Sequence, residues 1–126
     1  MSPALENVGR LFEGLGDVIH AASESQMTAF GCAAGLLSSF FEVEHAVAQW
    51  LAAAGVPSAD ASLYVRSMFA AAASSALEAK DASLHELASA HQTAGGLNEH
   101  ARRRLLTSGW FAEVGEALTR LSTLSL

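Results

Sequence analysis

Between residues 91 and 100 the chain reads His-Gln-Thr-Ala-Gly-Gly-Leu-Asn-Glu-His, the stretch whose residue types come nearest to a binding chemistry. Gly95 and Gly96 carry no side chain, so a ligand can approach their backbone. If the pair opens a helix, the first-turn N–H groups have no partner inside that helix and favour an anion. Such a loop suits a carboxylate. The plainer alternative is that Gly-Gly only turns one helix into the next, because glycine pairs are common turn signals.

Other candidates are weaker. His20, His45, His85, His91 and His100 form no i, i+4 pair accompanied by a carboxylate, so a metal site is not indicated. Arg102, Arg103 and Arg104 follow the loop, but three consecutive residues point around a helix and read as a solvated face. Cys32 stands among small apolar residues with no neighbouring base, which fits a packing thiol better than a nucleophile. No Ser-His-Asp signature is present, and Gly31 and Gly35 are not spaced as a pyrophosphate turn, so the chain by itself is expected to bind no dinucleotide.

The elements that must hold the loop read as helices. Leu5, Val8, Phe12 and Leu15 form one helical stripe ending at Gly16, and Asp17 to Ala21 looks like a short strand without a sheet partner. Ser25 to Ala54 contains no proline and predicts a long helix. Its first part, with Gly31, Ala33, Ala34 and Gly35, has so little side-chain volume that either another helix packs closely there or the helix breaks near Gly35. Gly55-Val56-Pro57 ends it, and Ser58 is the expected N-cap of an alanine-rich helix running to Leu77. Ser83-Leu84-His85-Glu86 matches a capping box opening a short helix that leads into the glycine pair. Glu99 to Thr107 and Trp110 to Leu121 read as the last two helices, separated by Ser108-Gly109, with a fraying end from Ser122. The expectation is an all-α bundle of about five or six helices.

With 126 residues there is room for one domain. Hydrophobic residues make up 51% and charged ones 16%, which leaves little charge to cover a small monomer and points to a homodimer. A net charge of −6 with 7% aromatics argues against a nucleic-acid partner. The uncharged run from Ser25 to Phe41 is too short for a membrane span, and no export signal opens the chain. A lone cysteine fits a reducing, cytoplasmic setting.

The order of pieces carries a further signal: Leu11-Phe12-Glu13-Gly14-Leu15-Gly16-Asp17-Val18-Ile19, a small-residue stretch opening a long helix, Ala54-Gly55-Val56-Pro57, then Thr93-Ala94-Gly95-Gly96-Leu97-Asn98-Glu99, an Arg-rich helix and Gly109-Trp110-Phe111. From about Leu5 to Leu121 this resembles the C-terminal part of the pyrroline-5-carboxylate reductase family. The resemblance implies an interleaved helical homodimer. Residues 1–21 would be the end of a nucleotide-binding domain, and residues 22–126 the dimerisation and substrate-binding domain. NADPH or NADH would be held by the other domain of the intact enzyme, with no cofactor on this chain, which alone would be inactive. The substrate would be a small cyclic imine or amino-acid carboxylate. Carried onto this sequence, Thr93, Gly95, Gly96 and the backbone of Leu97 would cradle that carboxylate, and Asn98 would hydrogen-bond near the ring nitrogen. Ala94 stands where the family has proline, Asn98 where it has threonine, and Ala34 to Ser39 lack the family's proline and tyrosine. These departures suggest a divergent member acting on another imine or keto substrate. The alternative is a stand-alone helical homodimer that scaffolds or binds a small acid without catalysis.

Overall fold

A helical hairpin holds the fully buried apolar residues among those described. In the computed structural model, which describes residues 2–12 and 16–124, seven helices follow one another: α1 (Pro3–Phe12), α2 (Glu24–Ala34), α3 (Leu37–Ala53), α4 (Ser58–Glu78), α5 (Leu84–Ala90), α6 (Leu97–Thr107) and α7 (Trp110–Ser122). The protein is all-α. α3 lies against α4, where Ala61 and Val65 are each 1% exposed. An edge-on pair of rings, Phe40 and Phe69 with centroids 5.7 Å apart, ties the two helices further along.

The turn between them is set by the backbone. Gly55 takes φ +101°, and the Val56 N–H donates to the Leu51 carbonyl at 3.1 Å while the Gly55 N–H donates to that of Ala52 at 3.0 Å. This pair of bonds satisfies the last carbonyls of α3 and needs the left-handed backbone that glycine adopts without strain. Pro57 then precedes α4 and occupies its N-cap position. Ser58 is therefore the first helical residue and not the expected cap, and its side chain caps nothing.

The small-residue stretch breaks the expected long helix into α2 and α3 at Gly35 and Leu36, which accounts for the seventh helix. Close packing occurs at the same place. A Cβ on Gly35 would meet the Cys32 carbonyl oxygen at 2.9 Å and Leu121 Cδ1 at 3.0 Å, so glycine lets α7 approach α2. α7 also packs on α6, and through these contacts the C-terminal helices join α2, the helix that leads into the hairpin.

The strand expected over Asp17 to Ala21 does not form; those residues take no regular secondary structure, and the described residues include no strand. Val18 and Ile19 are exposed and no second strand lies within reach to take their backbone groups. Asp17 is tethered by Lys80 at 2.8 Å, an ion pair exposed on both sides and therefore weak. Leu15, the end of the predicted first stripe, lies outside the described residues.

Apolar side chains are mostly uncovered. Trp50 is 70% exposed, Leu63 66% and Phe41 63%. The accessible surface is 10155 Å², whereas a folded monomer of this mass exposes about 6,400 Å².

Candidate functional site

The loop is built outward from the two helices it joins. α5 begins with the predicted capping box: Ser83 Oγ accepts from the Glu86 N–H at 3.0 Å, and the Glu86 carboxylate accepts from the Ser83 N–H at 2.8 Å. At its other end the His91 ring Nδ1–H donates to the Leu87 carbonyl at 2.8 Å, leaving Nε2 facing away from that bond. Gln92 then leads into Thr93.

From Thr93 the backbone turns sharply. The Gly96 N–H donates to the Thr93 carbonyl at 2.9 Å, with Gly95 between them at φ +73°. The Thr93 hydroxyl is folded over Gly96, and a Cβ added at Gly96 would collide with Thr93 Oγ1. Gly95 is thus required by its dihedral and Gly96 by its neighbour.

Gly96 is the N-cap of α6, with φ −85° and ψ 174°, and it offers no capping side chain. The first bond into the helix is the His100 N–H to the Gly96 carbonyl at 3.1 Å. The N–H groups of Leu97, Asn98 and Glu99 find no acceptor among the described residues. Three aligned donors at a helix start, with a hydroxyl beside them, can hold one carboxylate. Asn98, the second residue of the helix, is exposed, and its amide makes no hydrogen bond to a described residue. The site is open: Leu97 is 88% exposed, and neither the cleft of about 410 Å³ beside His45 nor that of about 720 Å³ beside Trp50 includes the loop.

Two arginines support this geometry, in ways the sequence concealed. Arg102 was expected on a solvated face, but it is half-buried and its guanidinium reaches Gln92 Oε1 at 3.1 Å, Ser89 Oγ at 3.3 Å and His85 Nδ1 at 3.4 Å. It clamps α6 to α5 and to the first residue of the loop. The contact crosses 10 to 17 residues, so no local pattern announces it. Arg103 pairs with Glu99 at 3.0 Å one turn away. That pairing engages the one carboxylate in the first turn of α6, which would otherwise compete for the free N–H groups.

Among the described residues no three His, Cys, Asp or Glu side chains assemble as metal ligands, and no helix is long and apolar enough to cross a membrane. Compared with protein-family models, curated proteins and solved structures, the chain matches none.

Proposed function

We propose that this chain is a dimerisation and substrate-carboxylate-binding domain of a pyrroline-5-carboxylate reductase-like oxidoreductase, and that its Gly-Gly loop receives the carboxylate of a small cyclic imine or amino acid. The observation that carries the reading is the start of α6: unclaimed N–H groups of Leu97, Asn98 and Glu99 beside the Thr93 hydroxyl, with Cβ-free backbone at Gly95 and Gly96. In this reading Asn98 donates its amide toward the ring nitrogen, and NADPH or NADH comes from a nucleotide domain outside this chain. The domain positions the acceptor carbon for hydride and supplies no proton-transfer group of its own.

The exposed surface supports dimerisation. The excess over a compact monomer is about 3,700 Å² per chain. The N-terminal arm contributes to it, but so do exposed apolar side chains on the helices, Phe41 and Trp50 on α3 and Leu63 and Tyr64 on α4 among them. Obligate dimers bury about 2,000–5,000 Å² in total, about 1,000–2,500 Å² per chain, so a second copy can cover roughly one to two thirds of that excess.

Titration with proline, followed through backbone amide resonances, tests the loop. The largest shifts are expected at Leu97, Asn98 and Glu99, with Thr93 following. Shifts confined to other helices, or none at millimolar ligand, would remove the carboxylate reading.

A further inference from the structure

Between α3 and α7 lies a cleft of about 720 Å³ with mostly apolar walls. Val43, Val47 and Trp50 line one side, Trp110 and Val114 the other, and Leu36 also contributes. Trp50 and Trp110, 70% and 43% exposed, stand open in the single chain. A cleft of this size and polarity, flanked by two tryptophans, calls for an apolar helix.

The chain contains one helix of the right kind. α4 has no charged residue from Ser67 to Leu77, yet in the single chain it is covered along one face only. A helical stretch without a charged face has no side that must be kept toward water, so it can pack on more than one face. Tyr64, Met68, Ala71 and Ser75 recur at i, i+4, i+7 and i+11, a stripe about a quarter turn from the buried face of Ala61 and Val65. Tyr64 and Met68 are 61% and 40% exposed. Asp60 and Glu78 stand at the two ends of the stripe, so its body brings no charge into an apolar cleft. The other helices fit less well. α3 and α7, with Leu105 of α6, already form the cleft walls, α2 is engaged with α7 at Gly35, α1 carries Glu6 and Arg10 within its ten residues, and α5 has only seven residues.

The placement closes on itself. On α3 the cleft-lining residues lie about a quarter turn from Phe40, whose ring meets Phe69 of α4. Because the hairpin is antiparallel, that rotation and the one on α4 bring the cleft wall and the Tyr64 stripe to the same side of the pair. His45, Ser62 and Arg66 line a different groove on the opposite side. A twofold axis can therefore set hairpin on hairpin, each α4 entering the other copy's cleft and each α3 held between two α4 helices.

We propose that the Tyr64, Met68, Ala71 and Ser75 face of α4 seats in the α3/α7 cleft of a second copy of this chain, and reciprocally, so that the dimer core is a four-helix arrangement of two α3/α4 hairpins. This rests on the dimeric reading above and adds which surfaces meet.

The test uses the full chain with Cys32→Ser. Two differently tagged versions, one with Ala71→Cys and one with Ala46→Cys, are co-expressed, and a short bis-maleimide is applied while light scattering reports the oligomer. The expected result is a dimer whose major cross-linked product joins the two tags. Ser62→Cys in place of Ala71→Cys, on the opposite side of the hairpin, should lose that product. Ala71→Glu, which introduces a charge into the apolar seat, should weaken the dimer about a hundredfold or more while leaving the helical circular dichroism unchanged. A dimer that cross-links through Ser62→Cys and not through Ala71→Cys would overturn the proposed interface and leave dimerisation standing. A monomer across the micromolar range would overturn both.

Discussion

Two helix starts thirteen residues apart solve the same problem in opposite ways. At α5, Ser83 and Glu86 answer each other's backbone donors, and the helix needs nothing further. At α6 the N-cap is Gly96, the acidic residue of the first turn is engaged by Arg103, and three N–H groups are left open beside a threonine hydroxyl. A capping box is worth about 1 kcal/mol to a helix, and α6 forgoes it. The difference separates a helix start that serves the fold from one that can serve a ligand.

The contrast is sharpest because the α6 sequence stops one side chain short of copying α5. Gly96→Ser would read Ser-Leu-Asn-Glu, a capping box in register with Glu99, and the φ and ψ of Gly96 already suit an N-cap serine. Thr93 Oγ1 stands in the way, and the Thr93 carbonyl oxygen, 3.1 Å from the added Cβ, must give by a few tenths of an ångström. The double variant Thr93→Ala, Gly96→Ser should therefore raise stability by about 1 kcal/mol in urea denaturation. It should also abolish the proline-induced shifts at residues 97–99. Retained shifts would mean that these N–H groups are not the binding donors. The reverse operation on α5 is smaller in scope: Ser83→Ala should lower stability by about 1 kcal/mol and leave ligand shifts at α6 unchanged.

Sequence patterns carried the local geometry well. The capping box at Ser83, the glycine pair at the start of a helix and the break near Gly35 are all short-range features, each decided by residues within one turn. The misreadings came where the deciding partner was distant or missing. Val18 and Ile19 have strand-forming side chains, but a strand is made by its neighbour, and the described residues offer none. Ser58 was the expected cap of α4, yet the carbonyl of Pro57 accepts the first helical bond, from the Ala61 N–H at 2.9 Å. The three arginines gave no sign that Arg102 would span α5 and the loop while Arg103 stayed on its own helix. That division depends on how α6 crosses α5. The apolar composition predicted surplus hydrophobic surface, and the uncovered faces of α3 and α4 show where it lies.

The smallest perturbation examines the role of Arg103. Its guanidinium is 68% exposed at the side chain and holds Glu99 at 3.0 Å, an i, i+4 pair of the kind worth about 0.3–0.5 kcal/mol before salt screening. Arg103→Ala should therefore shift the denaturation midpoint barely at all. Its effect on binding is expected to be larger, since Glu99 sits at the third position of α6, where a freed carboxylate can turn back toward the helix start and meet the same N–H groups a ligand would use. Proline affinity should fall a few-fold in Arg103→Ala. Adding Glu99→Gln, which removes the competing charge, should restore it even though the ion pair is still absent. If affinity falls equally in Arg103→Ala and in the double variant, the arginine is itself attracting the anion, and the start of α6 is kept open by something other than the Glu99 pairing.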